Sequence, residues 1–96
     1  MISLSSVVRP SDGQISADLD GEAVILDLKS GTYYGLDEVG ALVWSLIQEP
    51  RKVGEIRDAI LETYDVAPAQ CERDLLALID ELITAGLVEI RDQANA

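Results

Sequence analysis

Four kinds of side chain here have types and spacing suited to chemistry. They are one thiol, Cys71; the acidic pairs Asp37/Glu38, Asp80/Glu81 and Glu72/Asp74; one indole, Trp44; and two adjacent phenols, Tyr33 and Tyr34. A thiol becomes a nucleophile when a nearby base or cation lowers its pKa, and paired carboxylates do acid–base work when a cleft tunes them. Cys71 lies on an apolar helical stripe with Arg73 as its only basic neighbour, so it reads as a small buried hydrophobe. The acidic pairs fall on polar helical faces and read as solvated charge, and Trp44, inside an apolar helix, reads as packing. Histidine is absent from all 96 residues. That removes the imidazole of Ser and Cys hydrolases and most zinc ligand sets. The sequence holds no calcium-loop, Walker or G-x-G-x-x-G pattern. The expectation is a chain that is not an enzyme and takes no cofactor or metal.

Tyr33 and Tyr34 differ from the other candidates. Adjacent residues of a strand point to opposite faces, so at most one ring can enter a core and the other must cover solvent or a partner. If that strand is also a sheet edge, its free amides and carbonyls are a template for an incoming peptide strand.

Lys+Arg 7 against Asp+Glu 18 gives a formal charge of −11. So acidic a surface repels phosphate backbones and anionic headgroups, which makes nucleic acid and membranes poor partners. The run from Met1 to Arg9 lacks a basic start and an apolar stretch long enough for a signal peptide, and no segment approaches the roughly 18–20 apolar residues of a membrane span. A single cysteine cannot close an internal disulfide and points to the reducing cytoplasm. Apolar residues at 48% and charged residues at 26% match an ordinary folded chain of one domain. The expected domain spans residues 1–91, with 92–96 as a flexible tail.

The elements that must position these residues follow from pattern. Ile2 to Val8 is β-compatible, Pro10 to Gly13 is a turn cluster, and Ile15 to Leu19 is a weak strand ending at Asp20-Gly21. Ala23 to Leu28 predicts a strong strand with Val24, Leu26 and Leu28 on one face; a Lys29-Ser30-Gly31 loop returns it as Thr32 to Leu36. Helices are predicted from an Asp37 cap through Gln48, from about Lys52 to Tyr64, and from Pro68 to Ala85, with Gly86 as a left-handed stop. Leu87 to Arg91 predicts a short terminal strand. The third helix carries two apolar series, Cys71, Leu75, Leu78, Leu82 and Leu76, Ile79, Ile83, wider than one core contact requires.

The stretch from Leu26 to Trp44, LDLKSGTYYGLDEVGALVW, resembles the PqqD family of precursor-peptide recognition elements, with its S-G-x-Y-Y-x-L hairpin and G-x-x-x-W helix. Tyr64-Asp65-Val66 before a long helix, and Ala85-Gly86-Leu87-Val88 after it, extend the similarity over roughly residues 15–91. At this size the chain is also similar to the freestanding B1 proteins of lasso-peptide biosynthesis. The resemblance implies an α+β, winged helix-turn-helix fold, an N-terminal three-stranded antiparallel sheet packed with three helices. It further implies that the leader of a ribosomally made precursor adds as a strand beside Thr32 to Leu36 and lies against the third helix.

Extrapolated by spacing, the peptide-binding residues are Thr32, Tyr33, Tyr34, Gly35 and Leu36 on the strand and Cys71, Asp74, Leu75, Leu78, Ile79 and Leu82 on the helix. Asp74 and Glu81 would steer a basic group on the leader. The expected function is non-catalytic recognition of the leader and its delivery to a processing enzyme, above all a lasso-pathway leader peptidase, by a monomer or weak homodimer. Two other functions use the same features. A winged-helix transcription regulator would need several cations on the third helix, which has Arg73 among Glu72, Asp74, Asp80 and Glu81. A self-associating adaptor would pair the strand edge with its own copy.

Overall fold

The computed structural model describes residues 2–91. In chain order the elements are β1 (Val7–Pro10), β2 (Gln14–Leu19), β3 (Glu22–Asp27), β4 (Thr32–Leu36), α1 (Glu38–Leu46), β5 (Arg51–Lys52), α2 (Val53–Thr63), α3 (Pro68–Thr84) and β6 (Val88–Arg91). They form an α+β arrangement with two antiparallel sheets, β2-β3-β4 and β5-β1-β6. The expected tail, 92–96, lies outside the described residues.

The N-terminal sheet is built from two hairpins. Leu19 pairs with Glu22 across Asp20 (φ 53°) and Gly21 (φ 83°), and a two-residue turn with positive φ at both positions matches the natural twist of its strands. Asp27 pairs with Thr32 around the next turn, where the Asp27 carboxylate accepts from the Lys29 amide at 3.1 Å and the Ser30 hydroxyl at 3.0 Å. Those bonds tie down a loop that would otherwise cost conformational entropy.

Two expectations are corrected, for β1 and for α3, while on β3 the shared face of Val24, Leu26 and Leu28 is the less buried one. The strand predicted from Ile2 to Val8 forms only at Val7–Pro10, because Ser3 and Ser6 bond locally and turn the chain, and Pro10 ends the strand rather than starting the turn. That strand joins β5 and β6 in a second sheet. On β3 the buried face is Ala23 and Ile25; Val24 and Leu26 are half-buried on the other face and Leu28 is 57% exposed. Apolar residues occur on both faces of β3, so alternation alone did not choose which one α1 covers. On α3 the buried stripe is Cys71, Leu75, Ile79 and Leu82, with Leu78 half-buried at its margin.

The helix ends follow their local chemistry. Asp37 accepts from the Gly40 amide at 2.9 Å and caps α1, while Gly86 (φ 80°) ends α3 in a Schellman turn. There the Leu87 amide donates to the Leu82 carbonyl at 2.9 Å and the Gly86 amide to the Ile83 carbonyl at 3.0 Å. One apolar core draws Val8 and Val88 from the second sheet, Ile25 from the first, Val43, Ile56, Ile60 and Ile79 from the helices, and Ile47 from the C-cap of α1. Arg57 on α2 is bound to Glu72 on α3 at 2.9 Å, which sets those helices against each other.

Candidate peptide-binding groove

Within the first sheet, β4 pairs with β3 on one side, and among the described residues its other edge has no strand partner. Amides and carbonyls on that edge are therefore available for pairing. α1 begins at the end of β4, and α3 lies across an open groove of about 820 Å³. Tyr33, Tyr34, Gly35, Leu36, Asp37 and Gly40 form one wall. Leu78, Asp80, Glu81, Leu82, Thr84 and Ala85 form the other. The two tyrosines divide as strand geometry requires: Tyr34 is half-buried on the inner face and Tyr33 is 69% exposed on the outer.

A second cavity of about 400 Å³ lies beyond Leu78, which lines both spaces. Its walls come from α1 (Val39, Val43), α2 (Ile60), the following linker (Tyr64, Asp65, Val66, Ala67) and α3 (Gln70, Cys71, Asp74, Leu75). Desolvation raises the pKa of the Tyr64 phenol in this wall, and the nearby carboxylates of Glu38 and Asp37 raise it further. The Cys71 thiol is also raised, chiefly by burial and against the opposing pull of Arg57, with Asp74 and Glu72 reinforcing the rise. A buried thiol held protonated is a packing group, as its place on the apolar stripe predicts.

The structure thus divides the residues named from spacing. Tyr33, Tyr34, Gly35, Leu36, Leu78 and Leu82 come together at the groove. Cys71, Asp74, Leu75 and Leu78 line the second cavity. Thr32 lines neither space, and Ile79 is fully buried beneath the groove wall. Asp37, Gly40, Asp80, Thr84 and Ala85 also line the groove and are not among the peptide-binding residues named from spacing; Asp37 and Asp80 read there as solvated charge. The spacing of Leu78, Glu81, Leu82 and Ala85, at i, i+3, i+4 and i+7, was the signal that could have placed Ala85 there.

The charge of this groove has one sign. Asp37, Asp80 and Glu81 line it, and among the described residues no lysine or arginine does. Among the described residues no group of three or more His, Cys, Asp or Glu side chains is placed to hold a metal ion, and no helix is long and apolar enough to cross a membrane. An unpaired strand edge beside an apolar trough can hold an extended peptide through main-chain bonds while selecting among its side chains.

The sequence profile described as coenzyme PQQ synthesis protein D (PqqD) matches residues 22–88, from the start of β3 to the first residue of β6. This chain belongs to the PqqD family. The matched segment contains both walls of the groove, so the family assignment and the geometry concern the same part of the molecule. Similar PqqD-type folds are found among solved structures. The structure of TbiB1 in complex with the TbiA(beta) leader peptide is 43% identical, with a TM-score of 0.80, covering 84% of this chain and 94% of that one. A lasso peptide synthetase B1 complexed with its leader peptide is 26% identical, with a TM-score of 0.77 over 85% of this chain and 96% of that one. The PqqD truncation of Methylobacterium extorquens PqqCD, a stand-alone recognition element for ribosomally synthesised and post-translationally modified peptides, is 25% identical. Its TM-score is 0.76, over 93% of this chain and 95% of that one. No curated protein matches the sequence.

Proposed function

We propose that this PqqD-family chain is a non-catalytic recognition protein that binds the leader of a ribosomally made precursor peptide by strand addition to β4. The observation that carries the reading is the unpaired β4 edge beside the groove to α3. Two relatives of similar fold were solved with leader peptides, and that supports the same ligand class here. Backbone pairing supplies affinity that is tolerant of sequence, while Tyr34, Leu36, Leu78 and Leu82 would select apolar anchors from the leader.

In this reading residues 1–91 act as one domain of winged helix-turn-helix type, with the edge of the sheet used for peptide. Arg73 is the only base on α3, and it stands among Glu72, Asp74, Asp80 and Glu81, a poor surface for phosphates. Catalysis belongs to a partner, best matched by the leader peptidase of a lasso pathway in the cytoplasm. The outer face of the first sheet supports hand-over by contact. Ile15 and Leu19 on β2 are 58% and 57% exposed, apolar residues that do not line the inner groove and where another protein can dock.

Amide hydrogen exchange tests the strand addition. Adding the TbiA(beta) leader peptide should slow exchange at alternate amides of Thr32 to Leu36 and leave β2 unchanged. Protection on β2 with none on β4 would refute this mode of binding.

A further inference from the structure

Six of the seven glycines have a reason in this chain's own fold. Gly13, Gly21, Gly31 and Gly86 take positive φ, a Cβ at Gly40 would lie 3.0 Å from Leu36 Cβ, and one at Gly54 would lie 3.2 Å from the Leu4 carbonyl. Gly35 has neither reason. It sits inside β4, its φ lies outside the left-handed range, and a Cβ there would meet nothing within 4 Å. Glycine in a strand interior weakens the strand and leaves a gap in the row of side chains, and it commonly marks a place where something else approaches.

What approaches follows from register. Gly35 pairs with Val24 of β3, and its missing side chain would lie on the outer face, two residues from Tyr33. Next along that face are Leu26, paired with Tyr33, and Ile15, paired with Leu26. The gap thus lies beside Val24 of β3 and two residues along β4 from Tyr33, and it borders the unpaired edge of β4. A strand added to that edge would send the side chain opposite Gly35 to this outer face. An aromatic laid over a strand glycine from the neighbouring strand restores the packing that the glycine lacks.

We infer that Gly35 is a specificity-determining position, a notch that accepts one large apolar or aromatic side chain of the bound leader on the outer face of the sheet, between Tyr33 and Val24. This rests on strand addition at β4 and adds to it a second reading surface. The inner groove takes leader residues of one parity, and the notch takes one residue of the other.

The test is selection of randomised displayed peptides on the wild-type chain and on the Gly35→Val and Gly35→Ala variants, followed by titration of the enriched peptides. Circular dichroism and thermal unfolding should show both variants folded, since an added Cβ meets nothing within 4 Å and β-branched residues suit a strand. The wild type should enrich a motif with one position held to Tyr, Phe, Trp, Leu or Met. Gly35→Val should move that position to Gly, Ala or Ser and leave the other anchors unchanged, with Gly35→Ala intermediate. Replacing the large residue by Ala should weaken binding to the wild type about tenfold or more, and this loss should vanish or reverse with Gly35→Val. The same large residue enriched on wild type and Gly35→Val would overturn the notch while leaving strand addition standing. No enriched motif on the wild type would overturn the leader-binding reading itself, and the notch with it.

Discussion

The indole N–H of Trp44 donates to the Ser16 hydroxyl at 3.0 Å, joining α1 to β2 across the inner face of the first sheet. Trp44 is 6% exposed, whereas β2 is otherwise almost entirely open to solvent. The bond therefore satisfies a buried donor and also anchors the outermost strand of the sheet whose opposite edge borders the groove.

Removing either partner should cost roughly 0.5–1.5 kcal/mol of hydrogen-bond energy, with a further packing loss for Trp44→Phe. A Trp44→Phe/Ser16→Ala double-mutant cycle in urea, followed by circular dichroism, should show the two losses coupled. Strict additivity would mean that the bond does not hold the strand.

Leu78 and Ile79 are adjacent on α3 but should fail in different ways. Ile79→Ala empties a fully buried position and should destabilise the fold by about 2–5 kcal/mol. Leu78→Asp alters a half-buried residue that lines both cavities, so the fold should persist while a charge in the apolar groove weakens leader binding about tenfold or more. Unchanged affinity in folded Leu78→Asp would remove this residue from the binding surface.

The one-signed groove predicts a dependence on salt. With Asp37, Asp80 and Glu81 lining it and a formal charge of −11, association with a leader carrying Lys or Arg should slow as ionic strength rises. Asp80→Asn and Glu81→Gln should lower the on-rate more than they raise the off-rate, and stopped-flow mixing reads both. A rate independent of salt would show that these carboxylates do not steer.

Cys71 should resist alkylation. Burial raises its pKa, so iodoacetamide at neutral pH should label the native chain far more slowly than the urea-unfolded one. The native thiol keeps its proton to higher pH than the unfolded thiol does, so this stabilisation is complete below the ordinary thiol range. It declines as pH rises from there through the raised native value. Cys71→Ala should flatten that alkaline decline.

Much of this was legible in sequence because local chemistry decided it. Asp37 as a cap, Pro68 at a first turn and Gly86 as a stop define α1 and α3 almost to the residue, and the tyrosine pair marked β4 as a strand with one ring left outside. What escaped was set at long range. β1 pairs with β6 some eighty residues away, a relation that no local pattern encodes, and apolar residues on both faces of β3 hid which face α1 would cover. The structure has an open groove between β4 and α3, the two elements from which the peptide-binding residues were drawn, but spacing alone mixed in Ile79, which is fully buried and does not line it. Spacing names Gly35 only as one of five peptide-binding residues on the strand, with no role of its own. Its significance depends on how the other six glycines are accommodated, and only the folded chain shows that.

The most direct measurement is a titration of the purified chain with the fluorescently labelled TbiA(beta) leader peptide, with a scrambled peptide and duplex DNA as controls. Saturable binding of the leader, with neither control bound, is the predicted result. Binding of the scrambled peptide with equal affinity, or of DNA in place of the leader, would contradict the assignment of this fold to leader recognition.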